Sequence, residues 1–370
     1  MNQNYQICNR CVLDTSESSI TFDEKGICKY CNDYDAQVKK KQSSKEELER
    51  ELELTIQKIK TQGKGKEYDC IIGLSGGVDS SYIAFLTKKV YGLRPLAVHL
   101  DNGWNDELAV KNIENICKLL EIDLFTHVIN WEEFKDLQFS FLKASVANAE
   151  APTDHAIFAI LYQLAVKYNL KWIIDGVNDA TEYTRKDETA SGYRYDDLKQ
   201  ILGIHRKFGN QKLKTYPKLS IWRKYFLRSV KDIKQFSLLN YVDYNKEKVK
   251  EFLTKDFQWK SPGAKHHESI YTKWHQTEYL LKKFGFDKRR LHLSDLILSN
   301  QLSRENALLE LSQPPMDQLK VKDLQNYVMK KFGISEVEYH KILTDSPRKF
   351  SDYPNNQKLL NLYASLFRSK

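Results

Sequence analysis

Short apolar runs alternate with segments of helical periodicity through the middle of the chain, from Tyr68 to Asp175. The runs have strand length, and between them apolar residues recur at three- and four-residue spacing. The predicted strands are 70–74, 96–100, 124–129 and 172–175, and the predicted helices are 80–90, 106–120 and those between 131 and 169. This alternation predicts an α/β fold in which right-handed crossovers build a parallel sheet covered on both faces.

The regions on either side have a different pattern. Residues 35–60 are rich in Lys, Glu and Gln with Leu48, Leu52 and Ile56 at helical spacing, which predicts a charged connecting helix before the linker glycines Gly63 and Gly65. Beyond Thr215 strand alternation fades and helices take over. We therefore expect a cysteine-rich module at 1–34, the connecting helix and linker at 35–66, the α/β domain at 67–245 and a helical C-terminal region at 246–370.

The loop Ser75-Gly76-Gly77-Val78-Asp79-Ser80 joins the first predicted strand to the first predicted helix of the α/β domain. Two glycines let its backbone turn tightly, and the helix behind it offers unpaired N–H donors and the positive end of its dipole. The loop is therefore a candidate anion site. No lysine occurs between Gly73 and Ser81, which excludes the P-loop of kinases and GTPases.

This string after an apolar strand resembles the pyrophosphate-binding loop (PP-loop) of the ATP pyrophosphatases, which include GMP synthetase, asparagine synthetase, lysidine synthetase and tRNA thiolation enzymes. The resemblance implies that residues 67–245 bind ATP, adenylate a carbonyl oxygen and release pyrophosphate. Ser75, Gly76, Gly77 and Ser80 would then hold the phosphates. The alternative is a strand-to-helix turn in which Ser75 only caps the helix.

Composition is that of a soluble globular protein, with 41% hydrophobic and 29% charged residues in 370. No apolar run approaches the length of a membrane span, and the first residues lack a signal-peptide pattern, so we expect a cytoplasmic protein. The net charge of +9 suits phosphorylated small molecules or RNA and decides between neither.

Four of the six cysteines form a C-x2-C-x16-C-x2-C pattern, Cys8, Cys11, Cys28 and Cys31. This spacing is typical of a tetrahedral Zn²⁺ site, and four thiolates would leave no open position for chemistry. The predicted zinc is therefore structural; an iron–sulfur site and coincidence are the alternatives. Cys70 and Cys117 lie in apolar contexts and are expected to pack in the core.

In open parallel sheets a ligand lies at the carboxyl ends of the strands. Asp79 and Asp101 occur there and could hold Mg²⁺ on the ATP phosphates, although a helix-dipole role for Asp79 and a turn role for Asp101 are alternatives. Gly176 would let the backbone approach the adenine, although turn geometry alone is the alternative, and Asn178 follows it as a further candidate nucleotide contact.

Two other stretches carry candidate catalytic residues. Pro152 should end one helix, with Thr153 or Asp154 capping the next, so that Asp154 and His155 begin that helix near the strand ends as candidates for binding or proton transfer. Lys265-His266-His267-Glu268-Ser269 follows a turn and precedes a helix predicted over 270–283. It lacks the spacing of a helical zinc site, and a cationic, hydrogen-bonding pocket wall is favoured over a solvated helix start.

Several stretches together resemble the N-acetyl sugar amidotransferases of bacterial surface-polysaccharide and nonulosonic-acid pathways. The stretches are Cys8-Asn9-Arg10-Cys11, Cys28-Lys29-Tyr30-Cys31, the PP-loop, Asp101-Asn102-Gly103-Trp104-Asn105, Ala151-Pro152-Thr153-Asp154-His155, Lys265-His266-His267-Glu268-Ser269, Lys283-Phe284-Gly285 and Asp287-Lys288-Arg289. One departure is Asp175, which stands before Gly176 where Ser or Thr is expected.

The resemblance implies an ATP-dependent enzyme that converts an acetamido group of a nucleotide-linked sugar to an acetamidino group. AMP transfer to the amide oxygen would make it a leaving group, and ammonia from a separate glutaminase subunit would displace it. The catalytic candidates are Asp79, Asp101, Asp154, His155, Lys265, His266, His267 and Glu268. The alternatives are a tRNA-modifying enzyme for thiolation or lysidine formation, and a zinc-dependent scaffold. Because no reactive cysteine pair is left over, nucleic acid is the less favoured partner.

Overall fold

The computed structural model describes residues 5–17, 19–40, 45–184, 194–263 and 267–359. Five parallel strands form one sheet in the order β3-β2-β1-β4-β5. The strands are β1 Cys70–Gly73, β2 Pro95–Asp101, β3 Leu124–Val128, β4 Trp172–Asp175 and β5 Lys234–Ser237. The chain order reverses between β1 and β4, so the switch point where ligands bind in such sheets lies at the end of β1.

Sixteen α-helices occur within the described ranges, and they surround the sheet and build the C-terminal region. They are α1 Lys29–Lys40, α2 Lys45–Gly63, α3 Val78–Phe85, α4 Glu107–Leu120, α5 Trp131–Lys143, α6 Ala151–Lys167, α7 Asp179–Glu182, α8 Leu198–Phe208, α9 Ile221–Ser229, α10 Lys246–Phe257, α11 Ile270–Trp274, α12 Leu280–Phe284, α13 Arg289–Leu298, α14 Arg304–Ser312, α15 Gln318–Phe332 and α16 Glu336–Thr344.

Both faces of the sheet are covered, as the near-continuous apolar strands require. On β1, Ile71 faces a core shared with α5, α6 and α8, whereas Ile72 faces a second core shared with α2, α3, α4 and α10. On β4, Ile173 and Ile174 divide in the same way. The alternation of side chains along each strand therefore supplies two apolar layers. Because all strands run parallel, their carboxyl ends lie at one edge of the sheet.

The predicted α/β class and parallel sheet are confirmed, and four sequence expectations need correction. β5 was not predicted, because its sequence Lys-Gln-Phe-Ser is polar and only Phe236 is buried among its residues. The connecting helix is α1 and α2, and α1 begins at Lys29 inside the cysteine module. The helices expected over 80–90 and 270–283 contain π-helical turns at Leu86–Val90 and His275–Tyr279. Neither Thr153 nor Asp154 caps α6, which begins at Ala151 after Glu150 with Pro152 in its first turn.

The four N-terminal cysteines lie together and buried, with their four sulfurs within 4.8 Å of one another. Three of the Sγ–Sγ distances are 3.9 Å, 3.7 Å and 3.6 Å. A tetrahedral zinc with Zn–S bonds of about 2.3 Å places sulfurs about 3.8 Å apart. The Cys8 sulfur also accepts backbone N–H groups from Arg10 and Cys28. The cluster therefore fits a structural zinc, as the spacing predicts.

The cysteine module docks on the C-terminal region rather than on the sheet. Arg304 donates to the carbonyl oxygens of Cys8 and Cys11 at 2.9 and 3.0 Å, and Arg290 donates to the carbonyl oxygen of Val12 at 2.7 Å. Tyr183, which follows α7, packs into the same apolar cluster as the cysteines. The module thus holds α13 against the segment that follows β4.

No helix among the described residues has the length and apolar character needed to cross a bilayer.

We predict that the protein binds about one zinc ion per chain and that Cys28→Ser removes it, because three thiolates no longer complete the tetrahedral shell. The free energy of unfolding should fall by at least about 3 kcal/mol, as expected when a structural metal is lost. Metal analysis and thermal unfolding measure both effects. Cys117→Ser is the matched control, because Cys117 is a half-buried residue on α4 outside the cluster. This variant should keep the zinc. A Cys28→Ser protein with undiminished zinc and an unchanged unfolding temperature would contradict the prediction.

Candidate functional site

The PP-loop joins β1 to α3 at the switch point of the sheet, and glycines shape it. Gly76 has a left-handed φ of 83°, and a Cβ there would lie 2.3 Å from the carbonyl oxygen of Ala109 on α4. Only glycine fits this position. Gly77 is the N-cap of α3 and no side chain caps the helix, which corrects the alternative that Ser75 does so. The N-terminus of α3 therefore keeps the donors that an anion needs.

Hydrogen bonds fix the loop from both ends. The Gly76 carbonyl accepts the indole N–H of Trp259 at 2.9 Å and the side-chain amide of Asn112 at 3.1 Å. The hydroxyls of Ser75 and Ser80 lie 3.2 Å apart, and the Ser75 N–H donates to Ser80 Oγ. The loop is thus held in shape by the protein alone, and little ordering is left for a ligand to impose.

Asp79 lies on the β4 side of the PP-loop. The Tyr244 hydroxyl donates to Asp79 Oδ1. Burial, followed by the nearby Asp79 charge, raises the pKa of Tyr244, so the phenol stays protonated and remains a donor. A Cβ on Gly176 would lie only 3.2 Å from Asp79 Cβ. The close approach predicted at Gly176 is therefore to the PP-loop, and its contact with adenine stays a prediction.

Asp101 lies at the end of β2, on the other side of β1. Its Oδ1 accepts the Gly103 N–H at 3.0 Å and the Asn105 side-chain amide at 3.2 Å. The same amide lies 3.1 Å from His99 Nε2, and His99 Nδ1 lies 3.1 Å from the Leu74 carbonyl oxygen. Burial lowers the pKa of His99, which favours the neutral ring with its proton on Nδ1. This chain orients Asp101, and sharing of one Mg²⁺ with Asp79 stays a prediction.

Glu268 brings the C-terminal region to the PP-loop. Its Oε1 lies 3.4 Å from Ser75 Oγ, and a Cβ on Gly77 would lie 2.1 Å from that oxygen. The backbone is fixed as well, because the Glu268 carbonyl accepts the Asp106 N–H at 2.9 Å and Ser269 forms an antiparallel bridge with Asn105. Three of the sequence stretches singled out above therefore meet at one place.

Two predicted site residues have structural roles. His155 is buried with Nδ1 2.8 Å from the Tyr195 carbonyl oxygen, while Nε2 accepts the Leu219 N–H at 3.1 Å. Burial lowers its pKa to about 4, so the ring stays neutral and both nitrogens are engaged. These contacts give His155 a structural role in this arrangement, and its predicted part in binding or proton transfer stays a prediction. Asn178 caps α7 through the Thr181 N–H and donates to the Gly176 carbonyl, so it shapes the loop after β4.

The remaining candidates are placed as follows. Asp154 is part of the first turn of α6, and its functional role stays a prediction. Lys265 and His266 lie outside the described residues. His267 is buried, with Nδ1 3.5 Å from the position of a Cβ on Gly263.

Sequence reasoning missed two groups at this site. Tyr244 is separated from Asp79 by 165 residues, and no motif marks it. Asp175 was noted only as a departure from the family pattern, yet burial raises the pKa of its carboxyl to about 6. The available signal was an ionisable residue at the end of an otherwise apolar strand, next to the strand that carries the PP-loop.

Two families match separate parts of the chain. Residues 46–184 match NAD synthase, and residues 268–367 match the family described as LPS biosynthesis protein WbpG-like, C-terminal domain. The second match begins at Glu268, the residue that contacts the PP-loop.

Individual proteins are similar over shorter stretches. An uncharacterized protein of Methanocaldococcus jannaschii is 29% identical over 173 residues, which is 46% of this chain and 58% of the relative. The tRNA-specific 2-thiouridylase MnmA 2 of Fusobacterium nucleatum is 28% identical over 143 residues, which is 36% of this chain and 39% of that enzyme. Among solved structures, NMN synthetase from Francisella tularensis is 18% identical with a TM-score of 0.30, covering 63% of this chain and 93% of its own.

The chain thus spans 58% or less of the length of these two curated relatives. The two family matches and the parallel sheet nevertheless agree with the resemblance drawn from the sequence. The chain therefore carries a segment similar to NAD synthase, which includes the PP-loop, followed by a segment similar to the C-terminal domain of WbpG-like LPS biosynthesis proteins.

Proposed function

We propose that the protein is an ATP-dependent amidotransferase that converts the acetamido group of a nucleotide-linked sugar to an acetamidino group. The observation that carries this proposal is the contact of Glu268 with Ser75 and Gly77, because it joins the WbpG-like region directly to the PP-loop. A sugar held by the C-terminal region would thereby meet the phosphates of ATP at the loop. The ammonia would come from a separate glutaminase subunit.

The chemistry needs activation of a poor leaving group. The amide oxygen attacks the α-phosphorus of ATP, an oxygen–phosphorus bond forms, and pyrophosphate leaves. Ammonia then attacks the activated carbon, and AMP departs with the former amide oxygen. Ser75, Ser80 and the N-terminal donors of α3 would stabilise the negative charge of the departing pyrophosphate.

Three carboxylates suit Mg²⁺, a hard cation that binds oxygen ligands: Asp79 in the PP-loop, Glu268 against the loop and Asp101 at the end of the neighbouring strand β2. When bound, the ion would neutralise charge on the phosphates. Tyr244 would orient Asp79, and Asn105 would orient Asp101. Glu268 could not lie against bare phosphate without repulsion, so a shared cation explains its position best.

The predicted sugar end of the site is retained within this proposal. Lys265 would meet a phosphate or carboxylate of the nucleotide sugar, and His266 or His267 would stabilise the adenylated oxygen or assist proton transfer.

The second candidate function is tRNA modification, favoured by the similarity to a tRNA-specific 2-thiouridylase. The thiols outside the zinc cluster argue against thiolation. Cys70 is fully buried in β1 and burial raises its pKa well above the usual range, while burial raises the pKa of Cys117 to about 11. Protonated thiols are poor nucleophiles, and Cys70 is also inaccessible. Copurifying RNA and sulfur transfer to it would favour this second candidate.

The main prediction is that ATP, ammonium and a panel of UDP- and CMP-linked diacetamido sugars yield AMP, pyrophosphate and a sugar that is 1 Da lighter, as expected when NH replaces O. Mass spectrometry of the sugar and a pyrophosphate assay measure the products. Ser80→Ala and Asp79→Asn should abolish turnover with little loss of fold, because they change the PP-loop on an intact strand and helix. Turnover at the wild-type rate in either variant, or no product from the whole panel, would contradict the proposal.

Tyr244→Phe should weaken the magnesium–ATP step because it removes the donor that orients Asp79. We expect an about tenfold slower pyrophosphate release, equivalent to ~1.4 kcal/mol, together with a higher requirement for Mg²⁺. Loss of a hydrogen bond to a charged group should also lower the free energy of unfolding by about 1–3 kcal/mol. Tyr241→Phe is the control, because the Tyr241 hydroxyl donates to Glu51 at 2.9 Å on α2. An equal Mg²⁺ requirement in both variants would remove the positioning role.

Glu268→Gln removes the negative charge of this side chain. The variant therefore distinguishes two effects of the carboxylate, its attraction to Mg²⁺ and its repulsion of the phosphates. With its charge removed, the Mg²⁺ concentration for half-maximal activity should rise about tenfold, or ~1.4 kcal/mol. Metal-free pyrophosphate should bind more tightly to the same variant, because the repelling carboxylate is gone from the loop. Titration calorimetry with pyrophosphate, with and without Mg²⁺, measures both. Glu310→Gln, on α14, is the control, and a variant in which both affinities stay at wild-type values would contradict the assignment.

A further inference from the structure

Asp175 is an ionisable group beside the PP-loop that the reaction described so far does not use. The register of β1 and β4 pairs Ile71 with Ile173 and Ile72 with Ile174, which places Asp175 opposite Gly73. Because side chains alternate along strands, Asp175 shares the sheet face of Ile173, the face covered by α6. The next residue, Gly176, has its Cβ position 3.6 Å from the Ser80 nitrogen. Asp175 and the PP-loop therefore border the same switch point.

The sheet is open next to this carboxylate. Gly73 has no side chain, and a methyl group at its Cβ position would have its nearest contact with Leu161 Cδ1 at 3.9 Å. A methyl group therefore fits at Gly73, on the sheet face that Asp175 shares. Gly73 is not required there by its backbone, since it is absent from the positive-φ residues.

The two carboxylate oxygens differ. Asp175 Oδ1 accepts the Ser237 hydroxyl at 2.8 Å and the Val177 N–H at 3.2 Å. Within the described ranges no hydrogen-bond donor reaches Oδ2, and this oxygen is not among the fully buried unpaired atoms. One oxygen therefore holds the side chain in place while the other is available to a ligand.

The surroundings of Asp175 raise the pKa of its carboxyl. Burial raises its pKa to about 6, opposed by the Ser237 and Val177 hydrogen bonds. The negative charge of Glu182 on α7 also raises the pKa of Asp175. The charge of Asp175 in turn raises the pKa of Tyr162 on α6 and of Tyr195 before α8. Two basic residues of α9 interact with other groups. Lys224 Nζ lies 3.2 Å from Asp196 Oδ2, and the charge of Arg228 lowers the pKa of Tyr162. No charge pair among these residues neutralises Asp175.

We propose that Asp175 is the base that takes a proton from ammonia as its nitrogen attacks the adenylated carbon, and that the space beside Gly73 admits the ammonia. The inference rests on the proposed function and deepens it. The carbon–nitrogen bond forms first, giving a nitrogen that carries three hydrogens and a positive charge. Asp175 Oδ2 accepts one proton, the carbon–oxygen bond to AMP then breaks, and the amidinium product keeps its charge. The protonated carboxyl returns its proton to water.

The two half-reactions test the assignment in the full-length protein, with the sugar of the panel that is turned over. Asp175→Asn should retain sugar-dependent ATP–pyrophosphate exchange within about threefold, while amidine formation falls by about 10²–10⁴-fold, the usual loss for a missing general base. Hydroxylamine, which is a strong nucleophile at a lower basicity, should recover part of the lost rate. Equal loss of exchange and amidine formation would overturn the inference, as would amidine formation near the wild-type rate.

The pH profile gives a readout that a merely structural role would not move. At a fixed concentration of unprotonated ammonia, the wild-type rate should fall below about pH 6, and this limb should vanish in Asp175→Asn. Ser237→Ala removes a hydrogen bond that lowers the pKa, so the limb should shift to higher pH. Gly73→Ala should fill the space with a methyl group and slow amidine formation while leaving exchange intact. A limb that is unchanged in both Asp175→Asn and Ser237→Ala overturns the inference.

One measurement needs no sugar and separates this inference from the proposed function. The pKa of Asp175 in the folded protein lies above its usual value. The folded state is therefore destabilised as pH rises from about 4 to about 6, because the buried carboxyl must ionise. Asp175→Asn should therefore raise the unfolding temperature above pH 6 and change it least near pH 4. If it lowers the unfolding temperature at pH 8, Asp175 is a structural residue and the inference fails, whichever sugar is the substrate. If no sugar reacts but this pH dependence is found, the raised pKa of Asp175 stands, whereas its role as the base fails together with the proposed function.

Discussion

The site depends on a loop that must approach its ligand with backbone rather than with side chains. Gly76 has a positive φ and lies against the Ala109 carbonyl, which no larger residue could do. Its own carbonyl is turned away from the site and accepts two side-chain donors, Trp259 and Asn112. The Ser75 and Gly77 N–H groups donate to the hydroxyls of Ser80 and Ser75, and α3 has no side-chain cap, so the N–H groups of its first turn are the donors left for an anion.

Each neighbouring element contributes one oriented carboxylate at the edge where the parallel strands end. Asp79 is oriented by Tyr244, Asp101 by Asn105 and His99, and Asp175 by Ser237. Glu268 comes from the C-terminal region and is fixed through its backbone. Four carboxylates near an anion-binding loop would repel phosphate if they were alone, so their presence fits a site that handles cations or protons together with phosphate. The proposed chemistry requires both.

The C-terminal region makes two kinds of contact, one with the PP-loop and one with the cysteine module. Glu268 contacts the PP-loop itself, whereas α13 is held by the cysteine module through Arg290 and Arg304. Gln301 follows α13 and donates to the Tyr244 carbonyl at 3.2 Å. The cysteine module, whose four sulfurs fit a structural zinc, therefore contacts the same C-terminal segment that reaches Tyr244 through Gln301.

Local pattern was sufficient for four features: the first four strands, the PP-loop, the cysteine cluster and the helical character of the C-terminal region. Each is encoded by residues that are close in sequence, through alternation, helical spacing, glycine placement or ligand spacing. Packing decided the rest. β5 is too polar and short to be recognised before it pairs with β4. His155 looked reactive at a helix start, but tertiary contacts engage both of its nitrogens. The raised pKa values of Tyr244 and Asp175 result from burial, and each side chain has a hydrogen-bond partner many residues away. Burial is a property of the assembled fold rather than of any stretch of sequence.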